Sequence, residues 1–295
     1  MKTFKLFLII VTLIFAFIGL LFSGVFVAME FGLLNVRGSI EARNNSIIDI
    51  NSGPDLPRND KTSTTTNNAD NAESSCEGGS VTCQWSNTSE WEVVAGGLTK
   101  DQEIIRRVAE ETGVSPRLIA AVVVPEQIRF FTDNREVFKR YFEPLKILGS
   151  LSKFSLGVSG IKQDTAVIIE QHANNPESPF YPGVEIANLL SYPEGVDTST
   201  ELFNRLTDEK NHYYSYLYTA VFIKEILLQW ERAGYDISNE ADVVATIFNI
   251  GFGASKPNPS PRVAGTTITV GGIEYTFGKL AGLFYDSELL PTLKK

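Results

Sequence analysis

Hydrophobic and polar positions divide the chain into three stretches. Leu6 to Met29 is a run of 24 residues without a charge. As a helix it would be about 36 Å long, enough to cross a hydrocarbon core of about 30 Å with some tilt. A cleaved signal peptide is the competing reading. Its apolar region is commonly about 7–15 residues and ends at a small-residue site, which Phe26-Val27-Ala28 matches poorly. An uncleaved signal anchor is therefore expected over residues 1–35. Lys2 and Lys5 precede the run and Glu30 follows it, which places the N-terminus in the cytoplasm and the remainder outside.

Residues 36–98 read differently. KTSTTTNNADNAESS is polar, low in complexity and without a helical or strand period. Such a stretch buries too little apolar surface to fold alone, so a flexible acidic linker is expected. As a coil it would have an r.m.s. span of about 45 Å. Cys76 and Cys83 close it in CEGGSVTC. Outside the cytoplasm this pair would form a local disulfide; in a reducing compartment it would remain two thiols.

From Thr99 to Lys295 the periodicity predicts one mainly α domain. Helices are expected over Lys100–Thr112, from Pro116 onward with Ser115 as cap, over Arg135–Leu148, Asp164–Ala173 and Asn211–Ala233, and from Glu240 to Ile250 with Asn239 as cap. TTITVGGIEYTF predicts a hairpin turning at Gly271-Gly272, and a short helix should close the chain.

Composition narrows the function classes. Net charge is −9, with the linker and the domain each at −5 and the N-terminal segment at +1, so no basic face for nucleic acid is expected. Two cysteines and two histidines exclude a four-cysteine zinc site and leave little for another metal centre; neither metal nor cofactor is expected. His172 and His212 read as isolated surface groups. Tyr213, Tyr214, Tyr216 and Tyr218 read as helix-packing residues or, alternatively, as sugar-stacking faces.

Three segments carry the candidate chemistry. In GVSPRLIAAVVVPEQIRFF, Pro125 should end an apolar, buried helix, because it lacks an N–H and clashes one turn back. Glu126 would then stand at the helix's C-terminal end. Apolar surroundings and the negative end of the dipole both favour a protonated carboxyl there, the form a general acid needs. A solvated glutamate past a helix end is the plainer reading. The second segment, SLGVSGIKQDTA (155–166), has two glycines suited to close backbone approach. The third, ATIFNIGFG (245–253), is an apolar helix ending in Asn-x-Gly-x-Gly.

In this order and spacing the segments resemble the lysozyme-like lytic transglycosylase superfamily, over about residues 100 to 255. Glu126 matches its catalytic glutamate. Ser155, Gly157, Ile161, Lys162, Thr165 and Ala166 match a Gly-rich motif of the form S-x-G-x-x-Q-I-K-x-x-T-A, and Asn249 and Gly251 match A-x-x-Y-N-x-G. Gln127 stands where the family has serine, Gly160 where it has glutamine, and Phe248 where it has tyrosine. The resemblance implies a lysozyme-like fold, catalysis by Glu126, and a sugar site lined by Ser155, Gly157, Gly160, Ile161, Lys162, Phe248, Asn249 and Gly251. Peptidoglycan strands would be the substrate, cleaved between N-acetylmuramic acid and N-acetylglucosamine.

Glycosidases commonly use two carboxylates. Asp133, Glu136, Glu143 and Asp164 are available, but spacing singles out none. The family implies that none is needed, because the muramyl C6 hydroxyl serves as an intramolecular nucleophile and leaves a 1,6-anhydromuramyl end. Three alternatives remain at this stage: a hydrolytic muramidase of the same fold, a weak or inactive wall-binding module of an envelope protein complex, and a plain anchored helical domain whose motifs match by chance.

Overall fold

A computed structural model describes residues 81–132 and 155–294. The predicted anchor over residues 6–29, Cys76 and the predicted helix over 135–148 lie outside them. Among the described residues the protein is mainly helical, and no helix there is long and apolar enough to cross a membrane.

The folded part begins earlier than Thr99. After a 3₁₀ segment over Val81–Asn87 comes helix α1 (Ser89–Lys100), inside the stretch expected to be linker. Three apolar side chains, Trp91, Val94 and Leu98, recur at helical spacing and are buried, while Trp85 packs edge-on against Trp91 with ring centroids 5.1 Å apart. Thr88 caps α1 by accepting the Trp91 N–H at 3.3 Å. The linker boundary therefore moves back: this sparse apolar pattern has no amphipathic partner within itself, but it has one in the core. Cys83 is buried and disulfide-bonded.

Helix α2 (Gln102–Thr112) ends on Gly113, whose φ of 68° is the left-handed C-terminal cap that glycine supplies most easily. Helix α3 (Pro116–Thr132) starts on Pro116 as expected, then corrects the reading of Pro125, which lies inside it. The proline forfeits one backbone hydrogen bond, at an intrinsic cost of about 3 kcal/mol. That cost is outweighed by burial: Leu118 through Val124 and Ile128 are almost wholly inaccessible. Helix α3 is the centre of the domain.

After the undescribed segment, a minimal antiparallel pair follows. Strand β1 (Ser155–Leu156) meets β2 (Ile161–Lys162), with Ser155 opposite Lys162 and Leu156 opposite Ile161. Helix α4 (Gln163–Ala173) leaves β2 directly. Two short helices, α5 (Val184–Leu190) and α6 (Thr198–Thr207), precede the long α7 (Tyr213–Arg232). Helix α8 (Ala241–Ile250) is buried on nearly every side; its N-cap is Glu240 rather than Asn239. Strands β3 (Thr267–Val270) and β4 (Ile273–Thr276) form the predicted hairpin, with Val270 opposite Ile273 across Gly271-Gly272. Both glycines have positive φ, as a two-residue primed turn requires. Helix α9 (Phe277–Asp286) closes the fold. Helices α1, α2, α7, α8 and α9 and strand β3 all pack against α3.

Candidate active site around Glu126

Because α3 continues through Pro125, Glu126 stands in the helix interior, not at its end. The helix-dipole argument for a protonated acid therefore does not apply. Instead, one turn on, Arg129 lies on the same helical face, as i,i+3 spacing dictates. Its Nη2 donates to both carboxylate oxygens, at 2.5 Å to Oε1 and 2.7 Å to Oε2. The pair is buried; Glu126 retains 3% of its exposure. An apolar helix thus carries one tightly paired carboxyl group among Val, Ile and Phe side chains.

The opposite side of that carboxyl is backbone. The loop joining β1 to β2 runs Gly157-Val158-Ser159-Gly160, with φ of 63° at Gly157 and 65° at Gly160. A Cβ at Gly160 would overlap Oε1 of Glu126 and stand 2.5 Å from its Cδ. No side chain fits there. A Cβ at Gly157 would overlap the Leu206 carbonyl and the Ser215 hydroxyl. The loop is pinned at three further points. Gln127 donates from Nε2 to the Val158 carbonyl. The Val158 N–H donates to Ser215 Oγ at 3.0 Å, and Ser159 Oγ donates to the Ser215 carbonyl at 3.3 Å. Helices α3 and α7 therefore hold the loop between them, and Gln127 makes one of the attachments.

Ile161 and Lys162 are buried beside this loop, and Ala166 lies buried one turn into α4; Thr165 is half-buried. Ser155 contributes its backbone to the β1–β2 pair. On α8, Phe248 is buried with its ring 5.0 Å from that of Phe222. Asn249 is also buried, and its Oδ1 accepts from the N–H of Thr266 at 2.9 Å and from its hydroxyl at 3.1 Å, anchoring the segment that leads into β3. Gly251 ends α8 with φ of 111°. The first and second motifs thus meet at the Glu126 carboxyl, while the third lies on a helix packed against α3. Asp164 is exposed in the first turn of α4; Asp133, Glu136 and Glu143 lie outside the described residues.

The two histidines are not isolated. His212 Nδ1 lies 2.6 Å from Asp101 Oδ2, which also accepts from the Tyr216 hydroxyl at 3.0 Å. That hydrogen bond raises the His212 pKa. His172 Nδ1 lies 3.0 Å from Oε2 of Glu225, and its ring stacks on Phe180 and meets Phe252 edge-on. Glu225 is inaccessible in the middle of α7, and burial pushes its carboxyl up to about 10. Burial also lowers the His172 pKa. The two shifts agree on a neutral pair. Sequence periodicity marks position 225 as core, but neither partner signals the other across 53 residues.

The four tyrosines of α7 pack. Tyr216 and Tyr218 are buried, and the Tyr218 hydroxyl donates to Glu170. Tyr213 donates to Glu111 at 2.6 Å under the Arg107 guanidinium, and Tyr214 lies beneath that of Arg205. Among the described residues no group of three His, Cys, Asp or Glu side chains is arranged to hold a metal ion.

No protein-family model matches the chain, and neither the curated proteins nor the solved structures contain a match to it.

Proposed function

We propose that this protein is a membrane-anchored peptidoglycan lytic transglycosylase with a lysozyme-like catalytic domain held outside the cytoplasm. The observation that carries the reading is the docking of the SLGVSGIK backbone on the Glu126 carboxyl. Two segments about 30 residues apart in sequence, each weak alone, converge on one acidic group. Glu126 donates its proton to the glycosidic oxygen as the bond from the muramyl anomeric carbon breaks. The resulting carboxylate then removes the proton from the C6 hydroxyl as that oxygen bonds to the anomeric carbon. The atoms balance without water, and the product ends in 1,6-anhydromuramic acid. Such an intramolecular attack gains effective molarity over a free nucleophile.

The deciding experiment incubates the full-length chain in detergent with purified peptidoglycan, beside Glu126→Gln, and identifies products by mass spectrometry. Anhydro ends formed by the wild type and lost in the variant are expected. Reducing ends would replace this reading with a hydrolytic muramidase. A second reading, a peptidoglycan-binding module without turnover in an envelope complex, is favoured by the burial of Glu126 in its pair with Arg129. Retained binding with no product from either protein would establish it.

A further inference from the structure

We propose that Arg129 is a positioning residue that fixes the Glu126 carboxyl and stabilises it once its proton has gone; the proposal rests on the transglycosylase reading above. Three observations carry it. A single nitrogen, Nη2, reaches both carboxylate oxygens, so the interaction fixes the orientation of the group as well as its charge. Both side chains are buried, where little water screens the attraction. The Gly160 backbone closes the side from which the carboxyl would otherwise rotate.

The chemistry follows from the two half-reactions. In the first, the carboxyl gives its proton to the leaving oxygen, and the electron pair of the breaking C–O bond goes to that oxygen. Negative charge develops on Glu126 as this happens. The guanidinium attracts the anion far more strongly than the neutral acid, so its help grows toward the transition state. In the second half, the same carboxylate must accept the C6 hydroxyl proton from a defined direction, and Arg129 maintains that direction. One carboxyl thereby serves as acid and then as base, and no second carboxylate is invoked.

The test uses the full-length chain in detergent with Arg129→Met and Arg129→Lys. Turnover on purified peptidoglycan is measured across pH, and the Glu126 carboxyl is titrated by carbon-13 NMR in each protein. Arg129→Met should lower kcat by at least tenfold while KM changes by less than about twofold. It should also change the pH profile of turnover, and the response of the carboxyl signal to pH, relative to the wild type. Arg129→Lys, which keeps the charge on a more flexible stem, should restore most of the titration and part of the rate. An unmoved carboxyl titration in Arg129→Met would overturn the proposal whether or not product forms. A fall in rate with an unmoved pH profile and no rescue by lysine would do the same. If Arg129→Met does not fold, the lysine variant decides: wild-type kcat with a wild-type profile would refute positioning. A wild-type protein that forms no product defeats the transglycosylase reading alone, because the titration still reports on Arg129.

Discussion

The α-carbon of Gly160 faces the Glu126 carboxyl so closely that a single added methyl group would stand 2.5 Å from Cδ and 2.8 Å from Cγ. Glycine is required there twice over, since φ is 65°, a region that costs other residues about 1–2 kcal/mol.

Gly160→Ala is therefore expected to displace the carboxyl or the loop. Overpacking adds about 1–3 kcal/mol to the backbone strain. A shift of about 1 Å at a reacting group can cost about a hundredfold in rate. On the transglycosylase reading proposed above, peptidoglycan turnover should fall at least tenfold; a clear loss of thermal stability is expected on any reading. Gly195→Ala is the control: its φ is 80°, but open space surrounds the added methyl. It should show the backbone cost only and near-wild-type turnover. Equal behaviour of the two variants would mean that contact with Glu126 is unimportant.

Arg117 supplies a second prediction, about stability. It lies on α3, nine residues before Glu126, and is buried under the end of α9. Its guanidinium donates to the carbonyls of Phe284, Tyr285, Ser287 and Leu289, and lies 4.0 Å from the centre of the Phe284 ring. One cation thus reaches four carbonyls of the last turn of α9 and the following loop, of which that of Phe284 also accepts from the Ser287 N–H and hydroxyl. Arg117→Met keeps the apolar stem and removes every donor. The expected loss is about 3 kcal/mol or more, since hydrogen bonds to charged groups contribute about 1.5–3 kcal/mol each. For a domain of this size that is about 6–12 °C in Tm. Thermal unfolding followed by circular dichroism measures it, and a loss below about 1 kcal/mol would show that water replaces the guanidinium.

How far the sequence reveals this depends on the range of the interaction that forms each feature. Helices α2, α7 and α8 and the β3–β4 hairpin are legible because periodicity, Gly113 and the Gly271-Gly272 pair are local signals. Helix α1 is hidden because its few apolar residues look like scatter until the core that receives them is present. Pro125 misleads for the same reason: a local rule costing about 3 kcal/mol is overridden by burial on all sides of α3. Glu126 and the SLGVSGIK loop could be nominated separately, but their contact could not. The pairing of Arg129 with Glu126 is not among the sequence-based expectations, although their i,i+3 spacing permits it. Ser215 carries no such signal; its role depends on a loop 57 residues away.

The pH dependence of stability should be governed in part by Glu225, and its sign can be worked out. An exposed glutamate titrates near 4.5, whereas burial raises the folded group to about 10. Below pH 4.5 both states hold the proton and the residue is neutral in effect. Between the two values the folded protein keeps a proton that the unfolded chain releases, so stability falls as pH rises, by up to about 1.4 kcal/mol per pH unit. Glu225→Gln removes this dependence, because an amide does not titrate, and its N–H can still donate to His172 Nδ1. The variant should match the wild type near pH 4.5 and exceed it increasingly toward pH 9. His172, whose pKa is lowered, acts in the opposite direction: below about pH 6.5 the unfolded chain takes up a proton that the folded ring resists. That acid-side loss should survive in Glu225→Gln. Urea unfolding at a series of pH values separates the two effects. Parallel wild-type and variant curves between pH 5 and 9 would mean that the pair is ionised in the folded protein, with Glu225 a carboxylate and His172 its cation.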